Sequence, residues 1–351
     1  MKINANDYAA LKALYDRTDG ENWTKKINWD VSSETPPDAD VVGRWHGVTV
    51  VGSRVTKIEL GNNNLSGTLP SFLGDLSNLQ YLYLDVNSLN GTLPSFLGDL
   101  SNLQYLYLSR NSLSGTLPSF LGDLSNLRYL WLNNNSLSGA LPSFLGDLSN
   151  LESLELCRNN LSGTLPSFLG DLSKLQQIGL DVNSLNGTLP SFLGDLSKLQ
   201  YLYLSKNNLS GTLPSFLGDL SKLQQIGLQY NGLSGTLPSE LGSLSNLQRL
   251  ELAWNSLSGT LPSELGDLSN LQELSLENPP YVETQISDVY AITSGEDFSL
   301  NVSGNFGDIN NNIISYSASG LPQGLTINST SGVIGGTPTP TTEDTFTRVW
   351  V

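Results

Sequence analysis

Leucine recurs along most of the chain in a pattern of fixed period. One repeat, residues 103–126, reads LQYLYLSRNSLSGTLPSFLGDLSN. Its alternation of leucine and tyrosine over residues 105–108 predicts a short strand with leucines buried on one face and tyrosines exposed on the other. A fixed period of this kind is typical of a solenoid, whose repeats stack their strands into one parallel sheet. Ten repeats, the last incomplete, begin at Val55, Leu79, Leu103, Leu127, Leu151, Leu175, Leu199, Leu223, Leu247 and Leu271.

An asparagine follows the predicted strand in each of the nine complete repeats. Its amide, turned inward, can bond the backbone of its own coil and of the next coil, where no strand ladder reaches. The Gly-Thr-Leu-Pro and Leu-Gly-Asp-Leu segments that follow predict turns across the convex side. The asparagine recurs at Asn63, Asn87, Asn111, Asn135, Asn159, Asn183, Asn207, Asn231 and Asn255.

The segments on either side of the repeats follow other patterns. Before the repeats, an apolar helix face predicts a helical cap over the open end of the solenoid. After them, the leucine period ends, and alternation over residues 298–302 and 313–318 predicts strands of an all-β sandwich. The predicted division is a cap at 1–54, a solenoid at 55–278 and a sandwich at 279–351. The apolar face of the cap helix consists of Tyr8, Leu11, Leu14 and Tyr15.

The Leu-Ser-Gly-Thr-Leu-Pro and Leu-Gly-Asp-Leu segments resemble the plant-type leucine-rich repeat. This resemblance implies a superhelix of α/β solenoid class, with a second short strand near Leu-Ser-Gly-Thr. Residues 1–54 are similar to the N-terminal cap of such arrays, but Gly43 and Val50 stand where land-plant caps usually carry a cysteine pair. We therefore expect tryptophans to hold the cap together, and this cysteine-free form looks more like bacterial or algal members.

The tail resembles a cadherin-like or immunoglobulin-like adhesion domain in its segments 319–325 and 331–338. A sandwich of this kind needs roughly 90–100 residues, so we expect the domain to be truncated. Some cadherin-like relatives bind calcium between domains, and Asp288, Glu296 and Asp308 are the acidic residues that could contribute. Their spacing matches no known calcium loop, so calcium remains only an option and no other cofactor is expected.

The formal net charge of −16 argues against nucleic acid and anionic membranes as partners, because both require a basic face. No apolar run approaches the roughly 20 residues that span a bilayer, and the first residues show no signal peptide. A single cysteine, Cys157, and a single histidine, His46, exclude a disulfide framework and most catalytic or metal sites. The aspartates that recur once per repeat are interpreted as solvated turn residues. We therefore predict that the chain is not an enzyme.

Aromatic residues concentrate at the exposed positions of the predicted concave sheet. Six of them fall in three consecutive repeats, and four more form a looser second cluster. A block of exposed rings is typical of a binding surface for a protein, a peptide or a glycan, although the rings could instead stabilise one another across strands. Residues 85–109 recur at 181–205 with one change, so duplication accounts for part of the pattern. The candidate partner-binding residues are Tyr81, Tyr83, Tyr105, Tyr107, Tyr129, Trp131, Tyr201, Tyr203, Tyr230 and Trp254.

Two other columns run along the solenoid. Phenylalanine recurs at position 96 and its equivalents, where it forms either a half-buried flank or a self-association surface. Threonine recurs at position 92 and its equivalents, and regular threonine arrays order water in ice-binding solenoids. The favoured function is recognition or adhesion by a secreted or surface protein, with a self-assembling structural protein as the alternative. The partner's identity, the oligomeric state and the biological process stay open.

Overall fold

A computed structural model describes residues 1–276 continuously, and residues 281–282, 298–301, 306–307, 317–319, 325–327, 331, 333–336 and 348–350 beyond them. The cap begins with helix α1 (Ala5–Arg17), whose N-terminal amides at residues 6 and 7 donate to the Asn4 side chain. Helix α2 (Ala39–Val42) and strand β1 (Val48–Val51) follow. Strand β1 pairs antiparallel with strand β2 (Arg54–Glu59), so the cap joins the solenoid through a shared sheet.

The cap is packed around a cluster of buried aromatic rings. The ring centroid of Trp29 lies 4.9 Å from that of Trp23 and 4.8 Å from that of Trp45. Tyr8 and Tyr15 complete the cluster from α1. Tryptophans therefore fill the interior of this cysteine-free cap, as the sequence predicts.

The solenoid carries two sheets, joined in each repeat by short 3₁₀ turns such as Ser119–Asp123. The first, here called the concave sheet, continues from β2 with parallel strands only. Its further strands are β4 (Tyr81–Tyr83), β6 (Tyr105–Tyr107), β8 (Tyr129–Trp131), β10 (Ser153–Glu155), β12 (Gln177–Gly179), β14 (Tyr201–Tyr203), β16 (Gln225–Gly227), β18 (Arg249–Glu251) and β20 (Glu273–Ser275). The second sheet consists of β3 (Ser66–Gly67), β5 (Ser88–Thr92), β7 (Ser112–Thr116), β9 (Ser136–Gly139), β11 (Asn160–Thr164), β13 (Ser184–Gly187), β15 (Asn208–Thr212), β17 (Gly232–Gly235) and β19 (Ser256–Leu257).

The core lies between the two sheets and is built almost entirely of leucine. Leu106, Leu108 and Leu121 are fully buried, and their equivalents in neighbouring repeats are buried in the same way. On the concave sheet the strand partners occupy the same position in successive repeats, as in the pairing of Tyr105 with Tyr129. A column read from the sequence period is therefore a row of direct neighbours on this sheet.

The side-chain amide of the recurring asparagine joins each coil to the preceding one, whereas backbone amides such as that of Asn135 donate to the following coil, here to the Arg158 carbonyl at 3.2 Å. The Asn159 Nδ2 group donates to the Leu156 carbonyl at 3.0 Å and to the Leu132 carbonyl, one coil earlier, at 3.1 Å. Its Oδ1 accepts from the Leu137 amide at 3.0 Å, also one coil earlier. The expected hydrogen bonds between coils exist. The side-chain amide forms them with the preceding coil, because it lies on the side of its turn that faces that coil.

The described parts of the C-terminal segment are antiparallel strands. Phe298–Asn301 pairs with Val333–Gly336, which also pairs with Leu325–Ile327. Ser317–Ser319 pairs with Arg348–Trp350, and Tyr281–Val282 with Phe306–Gly307. These pieces agree with the predicted all-β character. Positions 302 and 313–316 of the predicted strands, and the calcium candidates Asp288, Glu296 and Asp308, lie outside the described residues.

Candidate binding site on the concave sheet

The six aromatic residues of the first three tyrosine-bearing strands form two parallel ring stacks. In stack 1, formed by Tyr81, Tyr105 and Tyr129, successive ring centroids are 4.7 Å and 4.7 Å apart. In stack 2, formed by Tyr83, Tyr107 and Trp131, they are 4.6 Å and 4.2 Å apart. The stacks meet edge to face, for example at 6.2 Å between Tyr105 and Tyr107.

Mutual stacking leaves these rings half-buried rather than fully exposed. Burial raises the pKa of Tyr83 to about 12, with a smaller contribution from Tyr105 and Tyr81. Burial also raises the pKa of Tyr107. The hydroxyl groups of Tyr83 and Tyr107 are therefore harder to deprotonate and remain hydrogen-bond donors at neutral pH.

The four other candidates form two separate pairs. Tyr201 and Tyr203 lie 6.2 Å apart on β14, and the Tyr203 hydroxyl donates to Gln225 Oε1 at 2.6 Å. Tyr230 and Trp254 stack at 5.0 Å and are 41% and 45% exposed. Within the described residues no ring contact joins one pair to the other. The predicted second cluster is thus brought together only pairwise.

A pocket of about 370 Å³ opens beside the end of stack 2. It combines Tyr107 and Trp131 with a majority of polar and charged side chains. Sequence reasoning placed only the aromatic residues in a site and missed the polar ones. Three of the polar residues occupy the same position of the repeat, directly after the second leucine of the strand, and could have been found from the repeat period. They are Asp85, Ser109 and Asn133. The lining residues are Asp85, Val86, Tyr107, Ser109, Arg110, Trp131, Asn133, Glu155 and Gln177.

Glu155, Cys157 and Asp181 form a polar cluster at one side of the pocket. The Cys157 Sγ atom lies 3.4 Å from Glu155 Oε2 and 3.6 Å from Asp181 Oδ2, so its single thiol hydrogen can be donated to either carboxylate. Burial raises the pKa of both carboxyl groups. Burial, together with the two carboxylates, also raises the pKa of Cys157. The thiolate is therefore disfavoured, which is the opposite of what a nucleophilic cysteine needs.

The remaining sequence candidates for chemistry, His46 and the recurring aspartates, lie apart from this pocket. No group of three or more His, Cys, Asp or Glu side chains among the described residues could hold a metal ion. His46 is half-buried in the cap, where its carbonyl accepts the indole N–H of Trp29 at 2.9 Å. The once-per-repeat aspartates, such as Asp123, are exposed at the ends of the 3₁₀ turns.

The phenylalanine column is largely part of the solenoid flank. Six of its members pack against the leucine core, whereas Phe72 at the cap end is 52% exposed. A Cβ atom placed on Gly122 would lie 3.1 Å from the Cβ of Phe144 in the next coil, so the glycine leaves room for the phenylalanine Cβ and backbone. The packed members are Phe96, Phe120, Phe144, Phe168, Phe192 and Phe216.

The outward positions of the second sheet carry only small uncharged residues. Thr116 is the equivalent of Thr92 in the next repeat, but Thr92 pairs in register with Ser114. The register of this sheet is therefore shifted by two residues against the repeat period. The threonine column therefore crosses the strands obliquely. Its members are exposed at Thr68, Thr92, Thr116, Thr164, Thr188, Thr212, Thr236 and Thr260, with Ala140 in the remaining repeat.

Comparison with protein families agrees with this architecture. The family described as "Leucine-rich repeat region" matches residues 52–191, and two further leucine-rich-repeat families match residues 173–233 and 246–268. The family described as "Putative Ig domain" matches residues 279–349. A comparison with curated proteins finds no match.

Solved structures similar to this chain include plant receptor ectodomains. The GASSHO1/SCHENGEN3 ectodomain from Arabidopsis thaliana, in complex with CASPARIAN STRIP INTEGRITY FACTOR 2, is 36% identical over 78% of this chain, with a TM-score of 0.71. The Arabidopsis HAESA ectodomain, in complex with an IDA peptide hormone ligand, is 34% identical over 78%, with a TM-score of 0.68. This chain spans 32% and 45% of the length of those two chains.

A plant ice-binding protein is also similar. It is 27% identical over 79% of this chain and 96% of its own, with a TM-score of 0.61. The repeat families and the two-sheet solenoid, together with the match of the C-terminal segment, lead to one assignment. The chain belongs to the leucine-rich-repeat proteins and carries an Ig-like segment after its repeats.

Proposed function

We propose that this chain is a non-catalytic recognition module of extracellular type that binds a protein partner through an extended peptide segment on the concave sheet. The two ring stacks are the observation that carries this proposal. Paired strands lie about 4.8 Å apart, so three consecutive strands present a continuous aromatic strip. Such rings supply a large contact area, and stacking has already restricted their rotamers, so little entropy is lost on binding.

The similar structures support the proposal without establishing it. The HAESA ectodomain was solved with a peptide hormone ligand, but this chain spans less than half of that ectodomain. None of the helices in the described residues is long and apolar enough to cross a membrane. We place the module at the cell surface or outside the cell, with the Ig-like segment as a spacer or adhesive part.

The test is selection of random peptides from a display library on the immobilised full chain, followed by measurement of their dissociation constants. We expect binding to weaken at least about a hundredfold when Tyr105, Tyr107 and Trp131 are all changed to alanine, because central aromatic residues dominate interface energies. The matched control is Phe72→Ala, which removes an exposed ring from the flank and should leave the dissociation constant unchanged.

Thermal melting of each variant separates a lost site from a lost fold, since the stacked rings also stabilise one another. Equal affinity of the folded triple variant and the parent would refute the concave site. A glycan array is screened in parallel. If no peptide is selected, and the parent chain but not the triple variant binds a glycan, the ligand of the concave sheet is a glycan and not a peptide.

A second candidate function is ice binding by the second sheet. The exposed threonine column supports it, together with the 27% identical plant ice-binding protein. None of the outward positions on this sheet is charged, although the chain carries a net charge of −16. Regular, uncharged hydroxyl and methyl groups can hold water in an ordered layer, whereas charged groups would disrupt it.

Ice recrystallisation inhibition tests this second candidate. We expect the activity to be lost when Thr116, Thr164 and Thr212 are changed to lysine, because three long cations would break the uncharged surface. The control changes three exposed serines of the same repeats, which begin the 3₁₀ turns, to lysine: Ser119, Ser167 and Ser215. Lack of activity in the parent chain, or equal activity in both triple variants, would exclude this function.

A further inference from the structure

The faces of the rings inside each stack cover one another, so an open aromatic face exists only where a stack ends. At one end of stack 2, Lys57 Nζ lies 5.2 Å from the Tyr83 centroid and 2.6 Å from Glu59 Oε2. At one end of stack 1, Arg128 Cζ lies 5.8 Å from the Tyr129 centroid. Arg128 Nη2 also pairs with Glu152 Oε1 at 2.7 Å. Both ends thus show the same group of three: a ring face, a cation over it and a carboxylate beside the cation.

The other end of stack 2 has the ring and the carboxylate, and Arg110 lies on the same pocket, but among the described residues no lysine or arginine lies over the Trp131 ring. One face of Trp131 lies against Tyr107, and the opposite face is turned toward the next strand, where Glu155 is its register partner. The Trp131 indole N–H donates sideways to Ser153 Oγ at 3.0 Å. Trp131 and Glu155 both line the pocket.

Glu155 differs from the paired carboxylates of the concave sheet in its partners. Its Oε1 accepts from the neutral Gln177 amide at 2.6 Å, and its Oε2 accepts from the neutral Cys157 thiol. Across residues 1–276, Glu59, Glu152, Glu251 and Glu273 pair with lysine or arginine, and Glu155 does not. Burial without a cation is consistent with its raised pKa.

We propose that the pocket beside Trp131 binds a cationic side chain, lysine or arginine, of the partner peptide. The cation would lie on the outer face of Trp131 and pair with Glu155, repeating the arrangement at the two occupied stack ends. This inference rests on the proposed function for the peptide that carries the side chain. The charged residues that line the pocket are Asp85, Arg110 and Glu155, two carboxylates and one guanidinium, so its net charge of −1 favours a cation.

Gly179 positions the carboxylate. A Cβ atom on this residue would overlap the Glu155 carboxylate group, so only glycine lets that side chain lie along the sheet. Gly179→Ala should therefore displace the carboxylate from the pocket without removing its charge. Gly227 occupies the same strand position two strands further on, where an added Cβ would approach Ser205 and Tyr203 instead. Gly227→Ala is the matched control.

The test uses the full chain labelled with 5-fluorotryptophan and fluorine NMR, with the Trp131 signal assigned through Trp131→Phe. Nα-acetyl-lysine N-methylamide is titrated against its neutral counterpart, Nα-acetyl-norleucine N-methylamide. We expect the lysine derivative alone to shift the Trp131 signal. We also expect its affinity to fall at least about threefold in both Glu155→Gln and Gly179→Ala, as for a half-buried ion pair, and to stay unchanged in Gly227→Ala.

Equal shifts with both probes, no shift at Trp131, or an unchanged affinity in Glu155→Gln would overturn the inference. Because the probes are single residues, this experiment does not depend on peptide capture. Selected peptides that bind without any effect of Glu155→Gln would refute the cation pocket alone. A cation-dependent shift at Trp131 without any selected peptide would refute the proposed function and leave the pocket standing.

Discussion

Replacing Asp7 with alanine is expected to lower the free energy of unfolding of the cap by about 3–5 kcal/mol. The Asp7 side chain is completely buried, where it accepts hydrogen bonds from Arg54 Nη2 at 2.9 Å and from the Val55 amide at 2.6 Å. It therefore connects helix α1 to strand β2. Strand β2 is the first strand of the concave sheet that pairs in parallel with the strand after it. Its loss leaves the buried Val55 amide without its acceptor and removes the carboxylate from Arg54, which keeps its hydrogen bond to Ser77 Oγ at 2.9 Å. The lower end of the range is favoured because Arg54 is 26% exposed and can be hydrated.

Urea unfolding, with hydrogen exchange to locate the loss in the cap, measures this effect. Asp16→Ala is the control, since it removes an exposed aspartate from the same helix and should change stability by no more than about 0.5 kcal/mol. Similar unfolding curves for the two variants would show that the buried ion pair does not hold the cap to the sheet.

Changing both Gly43 and Val50 to cysteine is expected to form a disulfide that stabilises the cap by up to about 2.5 kcal/mol, the chain-entropy value for so short a loop. A Cβ atom on residue 43 would lie 3.8 Å from the Val50 Cβ, which matches the usual separation in disulfides of about 3.8 Å. Gly43 has a φ of −64°, which any L-residue adopts, so the substitution brings no backbone strain. The nearby Ala39 carbonyl, 3.3 Å from the new Cβ, must yield slightly and reduces the gain.

Thermal melting with and without a reducing agent measures this gain, in a Cys157→Ser background that leaves the new pair as the only thiols. We expect the melting temperature of the oxidised protein alone to rise. Val50→Cys by itself is the control and should show one reactive thiol and no dependence on the reducing agent. Two reactive thiols in the oxidised double variant would show that the two positions do not approach as closely as in the structure.

The repeat period made the concave sheet predictable. Each strand pairs with the equivalent strand of the next repeat, so a column in the sequence, such as Tyr81, Tyr105 and Tyr129, is also a row in space. The leucine core followed from the same spacing, whereas the second strand of each repeat followed from the resemblance to the plant-type leucine-rich repeat. The second sheet was less predictable, because its register is shifted against the repeat period, which moves Thr92 away from Thr116.

The sequence by itself thus determined the solenoid and the aromatic strip, because a strict period converts residue spacing into spatial neighbours. The tryptophan-filled cap was expected from its resemblance to the caps of such arrays and from its lack of their cysteine pair. The tertiary structure decided where the stacks end, that Glu155 folds over Gly179 onto the sheet, and that Gly43 and Val50 face each other. These features depend on side-chain directions and on burial between elements, neither of which the repeat period contains. The candidate cation pocket arises in this way: its ring, carboxylate and glycine come from three consecutive strands, each of which departs from the consensus of the repeat.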